Sequence, residues 1–244
     1  MDIPHPLLAK LEREIVLTDA DRLSVNEVPF YVEDFKTGEG PSWAGDRPKR
    51  SFVILEGLLS TSKTLRDGQV QITALHIPGD MPDLQSLHLE VLDCDIGALS
   101  NCVLAFMAHS DLRRFCERHP RLAAALWRST LVDGAIYREW VVNMAQRPAL
   151  NRLAHIFCEM MTRMEEAGLA AQGSCALPLT QEDLSEATGL SHVHVNRTLQ
   201  DLRARGLISF EQGRLTIHDW DGLARLGEFQ VDYLHLRSAA APAH

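Results

Sequence analysis

The chain has 244 residues, enough for one large domain or two ordinary ones that each bury a core. Hydrophobic residues at 45% and charged residues at 23% are ordinary globular proportions and exclude a disordered or fibrous chain. The formal net charge of −9 argues against unspecific coating of nucleic acid, but leaves room for a small, locally basic reading face. No apolar run reaches the ~18 residues of a membrane span, and the N-terminus has no basic start followed by an apolar stretch. A cytoplasmic protein without membrane contact is expected. The five cysteines, Cys94, Cys102, Cys116, Cys158 and Cys175, are odd in number and show no CxxC spacing, which reads as reduced, mostly buried thiols.

Leu7, Leu8, Leu11 and Ile15 recur at helical spacing and predict a short helix up to about Asp21. Alternation then takes over. Strands are expected around Val28, Phe30, Val32 and Phe35, at 51–57, 58–65, 70–77, 91–98 and 101–107, with Asp67 and Gly68 turning a hairpin. Short strands at turn spacing predict an α+β protein that begins with an antiparallel β-barrel or jelly roll over roughly 25–108. Helical signal returns at His109, with Ser110 as the expected N-cap. Pro120 opens a longer helix to about Ala145, carrying Leu122, Leu126, Leu131, Ile136, Trp140, Val141 and Met144. So apolar a helix packs wholly against its own barrel or forms a subunit seam; length and periodicity favour the seam, with Leu122, Leu126, Ile136 and Trp140 as dimerisation residues. Arg147 and Pro148 mark a boundary. A further amphipathic helix is expected over 151–166, a loop over 168–178 and a disordered tail over 238–244.

The chemistry lies between Thr180 and Leu207. Thr180 and Asp183 have the spacing of a capping box, Gly189 suits a left-handed turn, and Ser191 can cap a second helix whose Val195, Leu199 and Leu202 face inward. Two helices across a tight glycine turn make a helix-turn-helix, and the alternating pairs 207–210 and 214–217 around Gln212 and Gly213 make a wing. The second helix then enters the major groove with Ser191, His192, Val193, Asn196 and Arg197 outward. Arg197 can donate to guanine O6 and N7, Asn196 can pair with adenine, and Val193 can touch a thymine methyl. His192 donates to a base or phosphate, or is simply solvated. Thr180 and Gln181 are placed to hold a phosphate, and Arg203 and Arg205 serve as backbone contacts or surface charges.

With barrel, long helix and winged helix-turn-helix in this order, the chain resembles the Crp/Fnr superfamily of bacterial regulators. Residues 179–208, LTQEDLSEATGLSHVHVNRTLQDLRARGLI, are similar to that family's DNA-binding motif over its full length. The resemblance implies a cyclic-nucleotide-binding-like barrel over 1–119, a dimerisation helix over 120–147 and a DNA-binding domain over 148–237. It also implies a homodimer on palindromic promoter sites that contacts RNA polymerase. The chain departs from the family in ways that bear on function. The Gly-Glu pair with which cyclic-nucleotide binders hold the ribose is missing from 79–84, and 87–102 contains no Arg or Lys to face a phosphate, so cyclic AMP is not expected as the ligand. No cysteine precedes Cys94, so the N-terminal iron-sulfur cluster of the oxygen-sensing branch is absent, and no cofactor or metal is expected. Many family members carry Glu where Val193 stands.

Three other readings compete with this one. One is a small-molecule or redox sensor whose barrel ligand gates DNA binding, with Cys94 and Cys102 paired if adjacent strands bring them together. Another is an enzyme using His76, Asp83, His88, Glu90 and Asp93; these are dispersed without HxH or HExxH spacing, and no catalytic residue is assigned. The third is a cupin-like oligomerising scaffold.

Overall fold

The computed structural model describes residues 5–237; the tail at 238–244 lies outside them. The chain opens with two helices where the spacing predicted one: α1 (Pro6–Glu14) and α2 (Asp19–Val25). The break is a capping box, in which Thr18 Oγ1 accepts from the Asp21 N–H while Asp21 Oδ2 accepts from the Thr18 N–H.

Strands β1 (Tyr31–Phe35), β2 (Arg50–Glu56), β3 (Leu59–Thr64), β4 (Val70–His76), β5 (Asp95–Ala98) and β6 (Cys102–Ala108) follow. They form two three-stranded antiparallel sheets, ordered β1-β6-β2 and β4-β3-β5. A lone bridge from Ser42 to Ile96 adds to the second sheet. Phe52, Ile54, Leu104 and Phe106 of the first sheet share one buried cluster with Leu59, Ile96 and Ala98 of the second, so the sheets face each other as a jelly roll. Only 95–98 of the predicted 91–98 pairs. Cys94 and Cys102 are not brought together by neighbouring strands: β5 pairs with β3, and β6 with β1 and β2. Burial pushes the Cys94 thiol up to about 11 and raises that of Cys102, which leaves both as poor thiolates.

Helix α3 (His109–Arg118) starts one residue ahead of its expected cap; Ala108 is the N-cap, and Ser110 does not cap. Helix α4 (Pro120–Gln146) and α5 (Ala149–Glu166) meet at Arg147 and Pro148. The four dimerisation residues expected from sequence do not face outward. Leu122 and Leu126 pack with α1 and the barrel, and Ile136 and Trp140 lie in the core shared with α5, so all four are buried within one protomer. The face that α4 leaves open carries Trp127 (68% exposed), Leu131 (56%), Val141 (61%) and Val142. The expected loop at 168–178 contains a small hairpin, β7 (Ala170–Ala171) and β8 (Ser174–Ala176). Then come α6 (Gln181–Thr188), α7 (His192–Ala204), β9 (Ile208–Glu211), β10 (Arg214–Ile217) and α8 (Trp220–Gly227). The hairpin joins the wing in a four-stranded sheet, β7-β8-β10-β9.

A buried ionic chain connects barrel and C-terminal unit. Asp80, in the turn after β4, accepts from Arg13 of α1 (3.3 Å) and from Arg163 of α5 (2.9 Å). Arg163 also donates to Glu159 (3.2 Å), which accepts from Trp140 Nε1 and from the Tyr233 hydroxyl (2.8 Å). Burial alone would raise the Asp80 pKa, but the charges of Arg163, Lys10 and Arg13 outweigh it and hold the carboxylate below its ordinary range.

Candidate nucleic-acid interface

Local chemistry builds the reading head. Thr180 Oγ1 accepts from the Asp183 N–H at 3.1 Å, and Asp183 Oδ2 accepts from the Thr180 N–H at 2.6 Å, which closes the expected capping box at the start of α6. Gly189 ends α6 in the left-handed region at φ 65°, where a Cβ-bearing residue is strained. Ser191 Oγ then accepts from the His194 N–H at 3.3 Å and starts α7. Ser185 donates to the Leu190 carbonyl and ties the turn to α6. Leu184 and Ala187 of α6 bury against Val195, Leu199 and Leu202 of α7, which fixes the angle at which α7 is presented.

The outward side chains converge. Gln181, His192, Val193, Asn196, Arg197 and Gln200 line one shallow groove of about 620 Å³. Five of these were expected from sequence; Gln200 was not, although it lies one turn beyond Asn196 on the same face. Thr180 and Ser191 flank the groove as caps without lining it. The Thr180 hydroxyl also donates to Asp183 (2.7 Å), so what α6 offers an anion is backbone N–H groups together with Gln181. Arg203 lies outside this groove. Its exposed guanidinium donates to the Phe210 carbonyl of β9 and ties α7 to the wing. The wing turns through Gln212 and Gly213 at φ 52° and 72°.

The barrel residues considered for catalysis do not converge on one another. His76 is buried, bonds Thr61 at 2.7 Å and has its pKa lowered by burial to about 4. Asp83 is buried, accepts from the Phe52 N–H at 3.1 Å and is raised by burial to about 8. Glu90 pairs with Arg47 and Asp93 with Lys63, both at the surface. Among the described residues no group of three His, Cys, Asp or Glu side chains is arranged to hold a metal.

Residues 32–119 match the Cyclic nucleotide-binding domain family and residues 151–226 the Crp-like helix-turn-helix domain family. The chain is 24% identical to the transcriptional activator protein anr of Pseudomonas aeruginosa over 225 residues, 92% of each chain. It is 27% identical to the nitrogen fixation regulation protein FixK of Bradyrhizobium diazoefficiens, covering 76% of this chain and 77% of that one. The fold superposes on FixK2 from Bradyrhizobium japonicum with a TM-score of 0.74 at 22% identity, covering 88% of this chain and all of that one. The chain belongs to the Crp/Fnr family of transcription regulators. As in that family, an N-terminal β-domain, a long helix and a DNA-binding helix-turn-helix follow in order, with α7 as the second helix of that motif in this Crp/Fnr regulator.

Proposed function

We propose that this regulator acts as a cytoplasmic homodimer on palindromic promoter sites, contacts RNA polymerase from there, needs no cyclic AMP and catalyses no reaction. The observation that carries the reading is the single groove shared by Gln181, His192, Val193, Asn196 and Arg197 on an α7 held rigidly against α6. Segments 1–119, 120–147 and 148–237 serve as sensor, seam and reader. Trp127, Leu131, Val141 and Val142 supply a seam along α4, since an apolar stripe exposed over this length of helix is stable in water only when covered.

Independence from cyclic AMP rests on the barrel. A cyclic phosphate needs a cation, yet Asp93 precedes β5 and Asp95 begins it, and Lys63 beside them is engaged by Asp93 at 2.7 Å. The residues present therefore do not fit a cyclic nucleotide.

Sedimentation of the purified chain, alone and as Leu131→Asp, tests the dimer, and anisotropy titrations with selected duplex DNA at several salt concentrations test the reading. The wild type sediments as a dimer and Leu131→Asp as a monomer with weakened operator binding. Arg197→Ala weakens operator binding ~5- to 150-fold, the worth of one bidentate base contact, without changing the oligomeric state. A monomeric wild type overturns the dimer, operator affinity unaffected by Arg197→Ala overturns the reading face, and operator binding that appears only on adding cyclic AMP overturns the independence from it.

A further inference from the structure

Val193, at 81% exposure, is the most exposed large hydrophobic side chain among the described residues, and no packing within the protomer accounts for it. It sits in the middle of an otherwise polar groove, sharing it with Asn196, Arg197 and Gln200. Positions 193, 196, 197 and 200 follow the spacing of one helical face, so all four meet whatever fills the groove together. The floor of the DNA major groove offers one apolar group, the 5-methyl of thymine.

Resting on the assignment of α7 as the DNA-reading helix, we propose that Val193 is a specificity determinant that reads a thymine methyl. Asn196 and Gln200 beside it read adenine edges, making the half-site rich in A·T around a single guanine. The chemistry of the groove supports each part. An amide presents a donor and an acceptor side by side, the complement of adenine N7 and N6. Arg197 is the one guanidinium lining the groove and offers only donors, the complement of guanine O6 and N7. No carboxylate lines the groove to accept from cytosine N4. His192, at the first position of α7, is left for a phosphate.

The test begins with selection of bound duplexes from random DNA by the purified full chain. Each thymine of the enriched half-site is then replaced singly by deoxyuridine, which removes the methyl and nothing else. The expected half-site contains one G·C pair beneath α7, and one thymine whose replacement weakens wild-type binding about fourfold, the worth of a single buried methyl. Val193→Ala, at an exposed position that leaves folding intact, binds the thymine and deoxyuridine duplexes equally, and Gln200→Ala loses its preference at an adjacent A·T pair. Two or more G·C pairs in the half-site, or deoxyuridine penalties unchanged in Val193→Ala, overturn the inference; an enriched palindrome still lost in Arg197→Ala leaves the DNA-reading assignment standing in that case. Failure to enrich any sequence overturns the assignment itself and the inference with it.

Discussion

At the residue scale, two buried titratable groups of the barrel make stability depend on pH in opposite directions. Asp83 is 1% exposed, its Oδ2 has no hydrogen-bond partner among the described residues, and burial lifts its pKa to about 8. Between the unfolded carboxyl value and pH 8 the native state holds a proton that the unfolded state has released, so this contribution is present at low pH and is lost as pH rises through 8. His76, lowered by burial to about 4, behaves in reverse: its contribution is present above the unfolded imidazole value and is lost as pH falls through 4. Asp83→Asn keeps an acceptor for the Phe52 N–H and cannot ionise. Thermal melts should show the variant gaining on the order of 2 kcal/mol at pH 8, ~4–8 °C, with little gain at pH 5. An equal gain at both values would place the carboxyl in water. Neither shift is legible in the sequence, where Asp83 and His76 look like any polar residues of a loop or strand end; burial decides, and burial is a property of the fold.

At the element scale, what could be read depended on whether the local signal was also the deciding one. The capping box of α6 and the glycine that ends it are local, and the structure has both where the spacing put them. The same local chemistry went unused elsewhere. Thr18 and Asp21 repeat the pattern of Thr180 and Asp183 and split the first helix. Gln172 and Gly173, at φ 53° and 69°, form the same turn as Gln212 and Gly213, but their flanking residues include small alanines, which carry little strand signal. The outward face of α4 is hidden in the sequence for a different reason. Apolar residues lie nearly all round that helix, so periodicity could not tell the side packed on the protomer from the side left open. Gln200 carries no signal in the sequence, because an exposed glutamine gains meaning only once its groove is known. For the turn itself, Gly189→Ala should cost about 1–2 kcal/mol. An added Cβ finds its nearest neighbour at 3.7 Å, so the penalty comes from backbone strain alone. Urea denaturation should show that loss, and Gly189→Asn should recover part of it because asparagine tolerates the left-handed region better; equal losses for both would point to a steric cause.

At the scale of the whole molecule, the reading head is not an appendage joined by a free linker. The largest core cluster takes Leu58 from the β2–β3 turn, Ile72 and Leu75 from β4, Ile136 and Trp140 from α4, and then runs through α5, α6, α7 and the wing. Polar bonds cross the same boundary: Gln71 of β4 donates to the Glu186 carbonyl of α6, and Arg163 of α5 reaches Asp80. Asp80 is thus tied directly to the helix against which α7 packs, and Arg163 is held on both sides of that junction, by Asp80 and by Glu159. Removing Arg163 leaves the fully buried Glu159 without its cation, a situation worth about 3–5 kcal/mol in other buried pairs, while the part-buried Asp80 keeps Arg13. With both units in one core, the wild type should unfold in a single step when followed by tryptophan fluorescence and by far-UV circular dichroism. In Arg163→Met the two probes should separate, with the C-terminal unit released at lower urea while the barrel persists, because the apolar part of the junction alone then couples them. If the variant instead loses stability with the probes still coincident, the junction is held by its apolar contacts, and the ionic chain contributes to stability without transmitting anything between barrel and reading head.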